Sequence, residues 1–149
     1  MEEVLQCILK QFKKAEYKIH VLHTSMQGLE FLQYHIFLDS IYNYLADQID
    51  PLMETLEQLW YDVPMNLSEI IKKEWEEEDD VIELTSQTPN IKDQLQLVEN
   101  TLITLRDELQ EGIMTSWSLN DYVVQNDLID YQKQIRIFEW KNRRIMWKK

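Results

Sequence analysis

Four stretches of this chain carry apolar residues at helical spacing for many turns, with almost nothing to interrupt them. The first reads as a helix from Glu2 to Met26, with Leu5, Ile8, Leu9, Phe12, Ala15, Ile19 and Leu22 on one face. The second runs from Leu29 to Trp60 and is lined by Phe31, Leu32, Phe37, Leu38, Ile41, Leu45, Ile49, Leu52, Leu56 and Leu59. The third starts near Asn90 and runs to Met114, with Ile91, Leu95, Val98, Leu102, Leu105 and Leu109. The fourth starts near Ser118 or Asn120 and carries Val123, Val124, Leu128, Ile129, Ile135 and Phe138. Only 2 Gly and 3 Pro occur in 149 residues, so there are few places to turn and no pattern for strands. The expected fold is all-α: one domain over residues 1–149, built as a four-helix bundle.

The breaks fall where the stripes end. Gly28 suits the end of the first helix, because glycine adopts positive φ without penalty. Asp62-Val63-Pro64 ends the second. Asn66 or Ser68 then caps a short extra helix through Glu76, and Thr85–Pro89 reads as loop. The connection between the second and third long helices is therefore a long crossover. No apolar run is long enough to span a membrane, and the start of the chain lacks the layout of a signal peptide. The single Cys7 has no partner for an internal disulfide and sits among Val4, Leu5 and Ile8, as a buried small hydrophobe in a reducing cytoplasm would.

Metal-binding side chains concentrate in the first third. His35 and Asp39 are four apart and share a helix face, as do Asp50 and Glu54. His23 ends the preceding helix. Imidazole with carboxylate suits iron, manganese or zinc better than magnesium or calcium. Taken alone, His35 would be a core or interface histidine and the Asp50/Glu54 pair a solvated face. His20 with Glu16 reads as surface. Ferritin di-iron centres inside one bundle use Glu-x-x-His pairs, and this sequence has none. His35 and Asp50 are fifteen residues apart on one helix, which at 1.5 Å per residue is roughly 22 Å. One ion cannot bridge that span. A second copy packed antiparallel about a two-fold axis brings the two halves together and makes two equivalent sites.

The run from His23 through Gly28, Phe31, His35 and Asp39, followed by Asp50-Pro51-Leu52-Met53-Glu54, resembles the ferroxidase segment of Dps proteins, the mini-ferritins named as DNA-binding proteins from starved cells. The family pattern has His, Gly five residues on, Phe at eight, His at twelve and Asp or Glu at sixteen. Asp follows eleven later, and Glu four after that. Every position matches here without a gap. The resemblance is strong over Leu22–Glu54, weaker through Pro64 and Leu67–Lys73, and faint beyond. It implies a ferritin-like bundle with the extra helix in its crossover, assembled as a hollow dodecamer in the cytoplasm. It also implies Fe2+ as substrate, held by His23, His35 and Asp39 of one subunit with Asp50 and Glu54 of another. Peroxide or oxygen would oxidise it and ferric iron would be stored. Zinc or manganese would serve as surrogate metals.

Three residues depart from the pattern. The family usually has Trp after the first histidine, where this chain has Thr24, and Arg after the glutamate, where it has Thr55. Pro51 removes a backbone donor inside the second helix and should bend it. These departures support an alternative, a ferritin-like helical interaction or DNA-binding protein without ferroxidase activity. Tyr42, Tyr44 and Trp60 on the ligand-bearing helix read as packing, or as acceptors of stray oxidising equivalents in place of the missing Trp. The net charge of −12 argues against DNA contact by the body of the protein. DNA contact is left to a basic C-terminal tail at 141–149, whose Lys141, Arg143, Arg144, Lys148 and Lys149 are interleaved with Ile145, Met146 and Trp147. The same tail reads equally as docked and amphipathic. Acidic residues suit pores and an inner wall that attract Fe2+, with Asp121, Asp127 and Asp130 as candidates.

Overall fold

The structure, a computed structural model, describes residues 1–26, 30–64 and 91–147. These form four helices: α1 (Glu2–Ser25), α2 (Phe31–Gln58), α3 (Ile91–Ser118) and α4 (Tyr122–Met146). Gly28, the short helix at 66–76, the loop at 85–89, Lys148 and Lys149 lie outside the described residues.

α1 lies along α2, and α3 along α4. The α1 and α3 stripes meet between these pairs. Every residue of the α1 stripe is buried, and so are Leu38, Ile41, Leu45, Ile49, Leu52 and Leu56 of α2. Leu95, Val98, Leu102, Leu105 and Leu109 complete the core from α3, and Val124, Leu128, Ile135 and Phe138 from α4. Phe12 is fully buried and packs its ring 5.6 Å from that of Tyr131. Gly112 lets α3 approach its neighbours closely. A Cβ there would come within 2.7 Å of Ile8 Cδ1 and 2.8 Å of Leu128 Cδ1.

Several expectations need correction. Phe31, Leu32 and Val123 belong to predicted core stripes, yet Leu32 is 65% and Val123 75% exposed, and Phe31 is exposed too. α3 continues one turn past Met114, because Ser116 is buried in the bundle and bonds back to the Ile113 carbonyl. α4 starts at Tyr122, a little beyond Ser118 and Asn120. Asn120 has φ 58° and terminates α3, with Asp121 N–H donating to the Ser116 carbonyl and Asn120 N–H to that of Trp117. Asp121 then caps α4 by accepting from the Val124 N–H at 3.1 Å. α2 ends in the same way: Tyr61 N–H reaches the Leu56 carbonyl, Trp60 N–H that of Glu57, and Trp60 sits at φ 61°, 95% exposed. α2 runs unbroken through Pro51. Pro51 and Asp47 both face solvent, so water can satisfy the carbonyl that loses its donor.

The expected basic tail is largely helix. Residues 141–146 are the last turns of α4, and Arg143 is committed to Glu99 at 2.7 Å and Glu139 at 2.9 Å. Arg106 joins Glu139 from the other side at 2.9 Å. Burial raises the Glu139 carboxyl above its usual range, against the pull of the two guanidinium groups. Asn142, fully buried, donates to the Leu95 carbonyl and locks the same seam.

Cys7 is half-buried rather than a plain core residue, and its thiol donates to Glu108 at 3.4 Å. Burial, then the Glu108 carboxylate, pushes the thiol up to about 11 from an ordinary 9.0. Thiolate at pH 8 is then scarcer by about a hundredfold than for a free cysteine, and the thiolate is the nucleophile. Iodoacetamide should therefore alkylate Cys7 far more slowly in the folded protein than in denaturant. Equal rates would refute this environment.

Candidate metal centre

The histidine half of the site forms where the C-terminal end of α1 meets the N-terminal end of α2. His23 and His35 stack face to face, with ring centroids 3.9 Å apart. Phe31 covers the other side of His35 at 4.8 Å. His35 Nδ1 lies 3.1 Å from the His23 carbonyl oxygen. A carbonyl only accepts, so Nδ1 carries a proton in this contact. This backbone contact orients the ring as an outer partner orients a metal ligand.

His23 is largely buried, with its side chain 13% exposed, and neither ring nitrogen has a hydrogen-bond partner. Buried polar atoms are rarely left unpaired. Burial, and then the neighbouring His35, lower its proton affinity, against a smaller opposite effect of Asp39. His23 is thus held neutral, the form that binds metals. Its Nε2 is 3.5 Å from Asp39 Oδ1. That is long for a charge-assisted hydrogen bond. It matches the spacing of about 3.4 Å between two donors that share one tetrahedral ion at about 2.1 Å each. This one pair is thus spaced as two donors to a single ion would be, and its outer member, Asp39, has a side chain that is 49% exposed.

Asp50 and Glu54 are exposed on the same unbroken α2. Their carboxylates make no hydrogen bond or ion pair among the described residues. Fifteen helical residues separate Asp50 from His35, roughly 22 Å. No group of three or more His, Cys, Asp or Glu side chains among the described residues is arranged to hold a metal, the His23, His35 and Asp39 set included. His23 lies beside both His35 and Asp39, and Asp50 and Glu54 are far from all three.

α2 presents Leu32, Ile36, Asn43, Asp47, Asp50 and Glu54 along one exposed face, with the half-exposed Asp39 on the same line. Leu32 and Ile36 are 65% and 61% exposed. An open hollow beside Glu54 is lined by Met53, Glu57, Gln58 and Val63. Sequence reasoning placed Leu32 in the core and passed over Ile36 as part of this exposed face. The signal was available in their spacing of four and their register with Asp39 and Asp50. The two substituted positions are settled locally. Thr24 donates to the Val21 carbonyl at 3.0 Å and Thr55 to the Pro51 carbonyl at 2.8 Å. Among the pore candidates, Asp121 serves as a helix cap, whereas Asp127 and Asp130 are exposed on α4. Burial and then the charges of Asp130 and Asp121 raise the Asp127 carboxyl.

Four long helices in this arrangement make the protein a ferritin-like bundle. Solved structures agree on the fold: Dps from Listeria monocytogenes superposes over 99% of this chain and 93% of that one, with a TM-score of 0.84 and 23% identity. Dps from Staphylococcus aureus does so with a TM-score of 0.79 and 15% identity, over 99% and 95% of the two chains. Dps from Listeria innocua soaked with cobalt matches over 99% and 92%, with a TM-score of 0.80 and 23% identity. No family model matches the chain. In sequence, the DNA protection during starvation protein of Listeria monocytogenes is 30% identical over 132 residues, 88% of this chain and 81% of that protein. The protein of the same name from Listeria innocua matches to the same extent. The chain belongs to the Dps family.

Proposed function

We propose that this protein is a mini-ferritin that oxidises Fe2+ at paired sites between subunits and stores the ferric product. The observation that carries the reading is His23, its ring nitrogens without hydrogen-bond partners, held 3.5 Å from Asp39 beside His35, with the complementary acids far along the same helix. In an antiparallel α2 pair, the register that sets Asp39 opposite Asp50 also sets His35 opposite Glu54. It further sets Leu32 opposite Glu57 and Ile36 opposite Met53, so two exposed apolar side chains meet the partner's hollow. His23, His35 and Asp39 of one subunit then face Asp50 and Glu54 of the other.

A net charge of −12 draws Fe2+ toward the protein. The imidazoles orient it, and the carboxylates favour the higher charge that develops as an electron leaves for peroxide or oxygen. Ferric iron then passes to a cavity of the assembled shell, a dodecamer in this reading. Consuming Fe2+ and peroxide together protects against oxidative damage. Cobalt and zinc were soaked into crystals of a Listeria innocua neighbour, which supports such metals as surrogates here. No helix among the described residues is long and apolar enough to cross a membrane. A cytoplasmic location fits this reading. DNA binding through the C-terminus is disfavoured, because Arg143 is already paired with Glu99 and Glu139.

The test is anaerobic Fe2+ loading followed by peroxide, with ferric absorbance and assembly mass recorded together. Rapid oxidation in a large shell is expected. His35→Ala/Asp39→Ala should lose that oxidation and keep its mass. Oxidation no faster than in buffer alone would favour the interaction-protein alternative.

A further inference from the structure

His20 lies outside the ligand set, yet it is not an idle surface residue. Its ring, from α1, stacks on that of Tyr42, from α2, at 4.4 Å with 14° between the planes. The Tyr42 ring is in turn 6.0 Å from that of His23. His23 stacks on His35. His20 is itself 6.1 Å from His23, so the rings of His20, Tyr42 and His23 form a cluster in the seam beside the stacked ligand pair.

Peroxide takes two electrons, and one Fe2+ supplies one. When a site holds a single Fe2+, the second electron must come from elsewhere or a hydroxyl radical is released beside the ligands. Tyrosine yields an electron only if its phenol proton can leave as well. Tyr44 is poorly placed for that. It is packed edge-on against Phe138 at 5.6 Å, and burial opposes loss of its proton. Trp60 is at the far end of α2 in the same subunit. Tyr42 is only partly buried, and its hydroxyl makes no hydrogen bond among the described residues.

We propose that Tyr42, held in place by His20, is the one-electron donor to a half-loaded site. This rests on the iron-site reading above. The O–O bond of hydrogen peroxide breaks, with one electron coming from Fe2+ and one from Tyr42. The phenol proton leaves with its electron. The products are Fe3+, one water, one hydroxide and a neutral phenoxyl radical on Tyr42, which balances atoms and charge. His20 is a positioning residue in this step: it fixes the angle of the Tyr42 ring.

The experiment loads the assembled protein anaerobically with less Fe2+ than it has sites, mixes it with hydrogen peroxide and freezes it for electron paramagnetic resonance. A phenoxyl signal is expected in the wild type and in Tyr44→Phe, and should be lost in Tyr42→Phe. His20→Ala should change the hyperfine pattern, which reports ring angle, and His20→Phe should restore it by restoring the stack. A phenoxyl signal that persists in Tyr42→Phe, an indolyl signal that disappears in Trp60→Phe, or ferric iron without any radical overturns the assignment to Tyr42. If no ferric iron forms in the wild type, the iron-site reading itself fails and the donor role falls with it.

Discussion

Two inactive variants of this protein should regain activity when they are assembled together. One variant carries His23→Ala/His35→Ala, the other Asp50→Ala/Glu54→Ala. Each alone has two broken sites per dimer. In a mixed dimer, one site collects both defects and the other collects none, because each site takes its histidines from one subunit and its acids from the other. Random pairing of equal amounts makes half the dimers mixed, so about one quarter of wild-type iron oxidation should return. The refolded mixture is measured against each parent refolded alone. No recovery, in a mixture whose mass proves co-assembly, would mean that the two halves do not serve a common site. A monomeric site would leave the mixture as inactive as its parents. The roughly 22 Å of continuous helix between the halves is what makes the result so sharp.

The second large effect concerns assembly. Leu32→Glu/Ile36→Glu should fold and remain subdimeric. Both side chains are more than half exposed in the isolated subunit, so the monomer loses little packing. In the antiparallel register they lie against the partner's Met53 and Glu57, where new carboxylates meet an apolar wall and existing acids. Burying an unpaired charge costs several kcal/mol, and the two-fold repeats the cost. Light scattering gives the mass, and circular dichroism the helix content. A dimer of unchanged stability would place the interface elsewhere. Iron oxidation should disappear along with the dimer, even though all five ligands are intact. That loss separates an interface effect from a ligand effect.

Much of this protein was legible before any coordinates. The apolar stripes of α1 and α3 are buried nearly residue for residue, because a helix with few breakers and one continuous apolar face has a single way to hide it. The pairing of faces was equally plain, since His35/Asp39 and Asp50/Glu54 must share faces wherever the helix goes. The ends were less so. The sequence puts the start of the fourth helix only near Ser118 or Asn120. Asn120 instead takes the left-handed turn that ends α3, and Asp121 caps α4. Asn suits both roles, and only the path of the chain chooses between them. The C-terminal basic run reads in sequence as docked or free, and the structure docks its helical part: Glu99, forty-four positions away, reaches Arg143 across the α3–α4 seam.

The sequence by itself determined the helices and their buried stripes, because these follow from period and rise along one helix; under the proposed iron site, the same rise calls for a second subunit. Only the tertiary structure decided how α1 meets α2. That meeting stacks His23 on His35, leaves the His23 nitrogens without hydrogen-bond partners and gathers Tyr42 with His20 and His23. Contacts between helices depend on their relative rotation and height, which no periodicity encodes. The same limit explains Leu32 and Ile36. Their apolar character was visible, but the choice between core and outer face was made when α2 turned its other side toward α1.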